Sequence, residues 1–381
     1  MHSNRKTALR VVALGAVVAL AIGCERGSST RAGPSERPTT SGCPAAMARA
    51  RTSVHQAEEP RTAWNGPTTG PKVVRGRSVI YVAQTMTNPG VAGTVQGARE
   101  AANTVGWKFD VIDGGGTPTG IQAALSQAIA LKPSGIVLGG FDPKATSQQV
   151  AKANAENIPL IGWHAVDLPG PSKNPKLFAN ITTNVGDVAR ITADWIIAQS
   201  YGHAGVVIFT DASIPFAKNK SDLISKQLAT CSGVRLLADE NIPIPDASVL
   251  TPQKVSSLLY RLGSRWTYSA AINDLYFADA APAFRAAGRK GAGPPHNIGA
   301  GDGDPSAFQR INSREYQAAT VPEPLSQQGW QMIDEFNRAF AGAPASGYVA
   351  PVHVATDENT GGRTAWDPVG YREAYRKIWG V

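Results

Sequence analysis

The chain has 381 residues and a net charge of +8 at pH 7, from 37 Lys and Arg against 29 Asp and Glu. No element clusters those basic residues and no helix-turn-helix signature appears, which excludes a nucleic-acid binder. Three cysteines and six scattered histidines, with no HExxH and no paired-cysteine spacing, point to no metal, no cofactor and no disulfide framework.

At the N-terminus, Arg5, Lys6 and Arg10 precede an apolar run from Val11 to Gly23, the pattern of a secretory signal peptide over 1–23. The run falls short of the roughly 20 apolar residues that a membrane-spanning helix needs. Its end, Leu20-Ala21-Ile22-Gly23-Cys24, resembles the lipobox of bacterial lipoproteins, with Ala21 where Leu is commoner. That resemblance implies acylation of Cys24 and a lipid anchor on the extracytoplasmic face of the membrane; cleavage near Gly23 with a free thiol is the alternative. Without the leader the net charge drops from +8 to +5. Residues 25–72 are rich in Ser, Thr, Gly, Pro and Arg with almost no apolar periodicity, so 24–72 is expected to be a disordered tether behind the lipidated cysteine. Cys43 in that tether and Cys231 in the body either pair in an oxidising compartment or stay free, and the sequence leaves both open.

Beyond Lys72 the length suits two domains with a core each. Apolar strand candidates begin near Ser78, Trp107, Gly135 and Ile158, and again near Gly205, Val234, Ser269 and His296. Between them lie amphipathic helix patterns, such as Val91, Val95, Ala98, Ala102 and Val188, Ile191, Trp195, Ala198, whose spacing of three and four puts them on one face. Near-continuous apolar strands alternating with such helices predict an α/β fold of two similar lobes, each a parallel sheet flanked by helices. In such sheets the loops that leave the carboxyl ends of strands line a ligand crevice. The first strand, SVIYVA, ends in a polar cluster containing Gln84 and Asn88, which would face that crevice.

The segments that follow successive strands form a series: TNPG, GGFDP, GWHAVD, FAKNKSD, INDLYFADA, IGAGDGDP and ATVPEPLSQQGW. In order and spacing, over about 76–357, this resembles the periplasmic sugar-binding proteins of the ribose-binding type, the substrate receptors of ABC importers. The resemblance implies a type I periplasmic binding protein fold, with a three-segment hinge crossed near Thr182, Pro322 and Ala350. The lobes would be 73–182 plus 323–349 and 183–322 plus 350–381.

Carried over position by position, the resemblance implies ligand contacts from Gln84 and Asn88 in the first lobe, from Asn273 and Asp302 in the second, and from Glu323 where the family has glutamine. Lys218 stands where the family has a ligand-contacting arginine. His164-Ala165 replaces an aspartate-arginine pair, and Gly90-Val91 replaces two aromatic residues, so one wall of the sugar sandwich is missing. Phe141, Trp163, Phe216, Tyr276 or Phe277 would have to supply it, and Asp142 lies beside Phe141 at the same strand end. Each residue has a plainer reading as well. Asn88 is a favoured helix cap, Asp302 in GAGDGD suits turn chemistry, His164 suits a structural role, and the aromatics suit core packing. Lys218 and Lys220 lie two apart on a helix, so at most one enters a crevice.

No GxSxG elbow and no Ser-His-Asp or Cys-His arrangement is recognisable, so the chain is read as a non-enzyme. A glycosidase pair made of Asp302 and Glu323 is the best enzymatic rival. The reading is a monomeric, lipid-anchored substrate-binding protein that takes a small hydrophilic ligand, a sugar or polyol, to an ABC permease. A sensory module of the same fold, or a receptor for an amine-bearing non-sugar, is the alternative.

Overall fold

A computed structural model describes residues 42–60 and 63–381. The expected signal peptide, the acylated Cys24 and the first part of the tether lie outside the described residues.

The first lobe runs β1 (Ser78–Ala83), α2 (Pro89–Val105), β2 (Lys108–Asp113), α3 (Pro118–Ala130), β3 (Gly135–Gly139), α4 (Ser147–Ala155), β4 (Leu160–Trp163), β5 (Gly170–Lys173) and β6 (Lys176–Ile181), preceded in the chain by α1 (Pro44–Glu58). Its sheet has the order β2-β1-β3-β4-β6-β5, parallel except for the edge strand β5. The second lobe runs α5 (Val185–Gln199), β7 (Ala204–Thr210), α6 (Pro215–Leu228), β8 (Val234–Asn241), α7 (Ala247–Leu262), β9 (Tyr268–Ala271), α8 (Leu275–Ala286), β10 (His296–Gly299), α9 (Pro305–Ser313) and β11 (Ala319–Thr320). After it come α10 (Leu325–Phe340), β12 (Ala355–Thr356) and α11 (Tyr371–Trp379). The second sheet has the order β12-β11-β10-β9-β7-β8, antiparallel only at β12. Two sheets of mostly parallel strands under helices are the α/β architecture that the strand rhythm predicts.

Burial explains why these segments take these forms. Val79 to Ala83 are all buried because β1 sits between β2 and β3 with both faces covered, as a parallel strand requires. Helix α2 starts where Asn88 accepts a hydrogen bond from Gly90 N at 3.0 Å and Pro89 takes the first turn, a site where its missing N–H costs nothing. It stops at Gly106, which adopts φ 72, a left-handed position that glycine tolerates best. Its Val91, Val95, Ala98 and Ala102 pack with Trp330, Ile333 and Phe336 of α10 in the first core.

Two expectations about the ends of the chain are corrected, and the open question of Cys43 and Cys231 is answered. Residues 44–58 belong to a docked helix. Ala46, Ala50, Val54 and Ala57 form a stripe at steps of three and four that packs on α5 in the core of the second lobe. Cys43 and Cys231 form a disulfide, with Cα atoms 5.2 Å apart, which fastens α1 to the second lobe. Residues 350–381 do not stay in the second lobe. β12 joins its sheet, but Tyr371, Tyr375, Ile378 and Trp379 of α11 lie in the first core, where Trp379 stacks on Trp330 at 5.4 Å.

The hinge is consequently broader than three strands. The chain also passes between lobes after α1, where Trp64 packs against Tyr348, Tyr371 and Tyr375, and again between β12 and α11. Val354 N donates to Ala57 O at 3.1 Å, so the last turn of α1 is bonded to the segment before β12.

Candidate functional site

The carboxyl ends of both sheets meet along one seam. From the first lobe, the turn after β1 brings Gln84 and Asn88, both buried. From the second, the turn after β9 brings Asn273 and the turn after β10 brings Asp302, also buried. Asn273 Nδ2 donates to Asn88 Oδ1 at 3.2 Å and to Asp302 Oδ2 at 2.6 Å, while its Oδ1 accepts from Leu275 N at 2.9 Å. One amide thus ties the two lobes together, and every polar atom of Asn273 is engaged, as burial demands.

Gly90 is the reason that Asp302 can come so near. A Cβ at position 90 would lie 2.0 Å from Asp302 Oδ2, closer than any real contact. The Asp302 carboxylate therefore rests on the first turn of α2, where unpaired amides favour negative charge.

Glu323 occupies the hinge segment 321–324. It accepts from Thr183 Oγ1 at 2.6 Å, on another hinge segment, and from Gln328 Nε2 at 2.5 Å. Gln328 Oε1 in turn accepts from Trp163 Nε1 at 2.8 Å. His164, with φ 51, turns its ring back into a stack between Trp163 at 4.0 Å and Phe216 at 4.7 Å, so one aromatic from each lobe grips it. Its Nε2 lies 3.4 Å from Glu323 Oε1, a loose approach that makes no hydrogen bond. Burial lowers the His164 pKa, and the imidazole is neutral at pH 7. Burial alone would raise Glu323. The nearby His164 imidazole, the Thr183 hydroxyl and the charge of Lys220 outweigh it and hold the carboxyl below its usual range.

Lys220 is the cation of the site. Its ammonium donates to Ala300 O at 2.6 Å, is 3.4 Å from Ile272 O and lies 5.3 Å over the Phe216 ring. Burial lowers its pKa, while Asp302, Glu323 and Asp274 resist. Asp302 is pushed up to about 8 by burial, against Lys220, with Asp274, Glu323 and Asp304 adding to the rise. Asp274 is pushed up to about 7 by burial and Asp304. It accepts from Gly303 N at 2.7 Å, Thr320 Oγ1 at 3.0 Å and Gln317 Nε2 at 2.5 Å, and so holds the Asp302 turn against β11.

Of the residues expected from sequence, Asn88, Asn273 and Asp302 come together in one bonded cluster, and Trp163, His164 and Glu323 form a second. Gln84 is buried beside them with Oε1 unpartnered. Lys218 is corrected: its side chain is 42% exposed and pairs with Asp222 one turn along α6, because Phe216, Lys220, Ile224 and Leu228 form the buried stripe of that helix. Phe141 packs with Ile80, Val82 and Leu138 in the core, and Asp142 caps a single 3-10 turn by accepting from Lys144 N at 2.9 Å. Sequence reasoning missed Thr183, Asp274 and Gln328 and favoured Lys218 over Lys220, although Lys220 carried a usable signal in its four-residue spacing from Phe216 and Ile224.

Among the described residues no group of His, Cys, Asp and Glu is placed to hold a metal ion, and no helix is long and apolar enough to cross a membrane. No curated protein sequence matches the chain. Solved structures do. A sugar ABC transporter protein from Yersinia enterocolitica is 15% identical, with TM-score 0.68 over 82% of this chain and 98% of that one. The arabinose-transporter binding protein of Shewanella sp. ANA-3, bound to arabinofuranose, is 14% identical, with TM-score 0.64 over 79% and 95%. An Agrobacterium vitis solute-binding protein holding allitol is 18% identical, with TM-score 0.63 over 80% and 99%. At these identities the likeness is one of fold. The family model described as a periplasmic binding protein domain matches residues 79–344, and with two hinged lobes meeting along a polar seam, the chain belongs to the periplasmic binding protein family.

Proposed function

We propose that this chain is the extracytoplasmic substrate-binding protein of an ABC importer, exported by its signal peptide and anchored through Cys24, which carries a small polyhydroxylated ligand, a sugar or polyol, to a membrane permease. The observation that carries this reading is the bonded group Asn88–Asn273–Asp302, drawn from both lobes, beside Glu323 on the hinge. Side chains with two separated polar atoms suit a ligand rich in hydroxyls, because each buried hydroxyl left unpaired costs about 1 to 3 kcal/mol. The fold neighbours bound to arabinofuranose and to allitol support the same class. A ligand that contacts both lobes stabilises the closed form over the open one by its differential contacts, and the permease reads the closed shape.

A thermal-shift screen of the protein against pentoses, hexoses and polyols tests this. A ligand at 100 times its dissociation constant adds about 2.7 kcal/mol of stability. Stoichiometric binding without product formation supports a receptor; release of a cleaved glycoside would support the Asp302–Glu323 hydrolase instead. Loss of uptake of the ligand in a deletion strain assigns transport, whereas normal uptake with lost induction assigns sensing.

A further inference from the structure

Carboxyl groups outnumber cations around the seam. Four carboxylates, Asp274, Asp302, Asp304 and Glu323, are buried there. The cations set among them are Lys220 and Arg310, the latter donating to Gln317 Oε1 at 3.0 Å and Asp274 O at 3.2 Å. Two of the carboxylates have structural duties: Asp274 holds the Asp302 turn, and Asp304 caps α9 through Ser306 N at 2.9 Å and Ser306 Oγ at 2.6 Å. Asp302 and Glu323 remain, Glu323 with each oxygen already accepting one hydrogen bond, from Thr183 and from Gln328. The ammonium of Lys220 is hydrogen-bonded to backbone carbonyls, which leaves carboxylate capacity over.

Two further atoms report independently that something is to be bound here. His164 Nε2 and Gln84 Oε1 are buried without a hydrogen-bond partner, on residues only 7% and 4% exposed. Gln84 Oε1 can only accept. The His164 nitrogen faces Glu323. Native interiors rarely leave such atoms unmatched, and a buried negative charge is costly unless a cation or a proton joins it. The open capacity is therefore mostly acceptor, and it is anionic.

We propose that the ligand carries an ammonium group, as an amino sugar or amino polyol does, held between Asp302 and Glu323 while its hydroxyls reach Asn88, Asn273 and Gln84. This rests on the receptor reading above and narrows its substrate class. It also assigns a role to the raised Asp302 pKa: in the closed, ligand-free form a proton stands where the ammonium belongs, and binding displaces it.

Matched pairs test the idea on the intact protein: glucosamine against glucose, galactosamine against galactose, and glucamine against sorbitol, by titration calorimetry at pH 7. The aminated member of at least one pair should bind about ten-fold or more tightly than its neutral parent, since charge-assisted hydrogen bonds are roughly twice as strong as neutral ones. Its heat should vary with the buffer's ionisation enthalpy, because a proton is released, and D302N should remove the preference. The calorimetric proton release needs no variant, so a misfolded D302N cannot mask the answer. Neutral parents that bind equally or better would overturn the ammonium while leaving the receptor reading intact. Failure of every aminated and neutral compound, alongside failure of the wider sugar and polyol screen, would overturn both.

Discussion

The two lobes share a fold but present different chemistry to each other. The first brings neutral groups and backbone: Gln84, Asn88, Gly90, Trp163 and a His164 kept neutral by burial. The second brings the charges, Lys220, Asp274 and Asp302, together with the Asn273 amide. Glu323 stands on the hinge between them. Electrostatic strain is thereby concentrated on one side, and the other side is shaped to receive it. At Gly90 the first lobe offers only a bare Cα and the amides of a helix start, and the Asp302 carboxylate fits that space.

If this division is right, the largest disturbance comes from the brace within the charged lobe. Asp274→Ala strands three buried donors and should cost about 3 to 5 kcal/mol of stability by denaturant unfolding; a change below 1 kcal/mol would mean that the turn holds itself. Reducing the Cys43–Cys231 disulfide frees the start of α1 on the same lobe. A loss of about 2 to 4 kcal/mol is expected, with earlier proteolysis within 44–58 than in the oxidised protein.

Gly90→Ala probes the receiving side. Alanine suits a helix, so the melting temperature should hold, yet its Cβ meets Asp302 only when the lobes close. Affinity should fall by about 1 to 3 kcal/mol, the usual cost of overpacking. Unchanged affinity would show that the two lobes do not approach in the bound state.

Acidity probes the charged groups next. Asp302 and Asp274 have folded pKa values raised above 3.8, to about 8 and about 7, so their contribution is complete below pH 4 and is lost as pH rises through the folded values. His164 is lowered from 6.5, so its contribution is present above 6.5 and lost as pH falls. Between pH 6.5 and 8.5 Asp302 and Asp274 act together with Glu335, which burial also raises to about 7, and ligand-free stability should decline across that window; an equally steep decline in D302N would place Asp302 in water. The smallest effect belongs to Lys218→Ala. An exposed i,i+4 pair is worth about 0.3 to 0.5 kcal/mol, and ligand affinity should not change, whereas Lys220→Met should weaken it.

Much of this was readable before any coordinates. The alternation of apolar strands and amphipathic helices marked two parallel sheets, since burial on both faces leaves no polar alternation in strands such as Val79–Ala83. The strand-end polar residues Asn88, Asn273 and Asp302 were legible because sheet topology sends those loops to one seam. Helix α1 was missed because its buried stripe, Ala46, Ala50, Val54 and Ala57, is only weakly apolar and sits among Arg, Ser and Thr. Helix α11 has a clear stripe in Tyr371, Tyr375 and Ile378, but which core it enters is decided by distant partners such as Trp330. Lys218 was preferred to Lys220 on resemblance, where the helical period through Phe216 and Ile224 pointed to the other.

The central claim is that ligand draws the two faces together. Spin labels at the exposed positions Lys144 and Ala212, each beyond the carboxyl end of a strand in its own lobe, report it directly. Adding a ligand identified in the screen should shift their distance distribution to one shorter, narrower population, and Gly90→Ala should resist that shift. Identical distributions with and without saturating ligand would contradict the account.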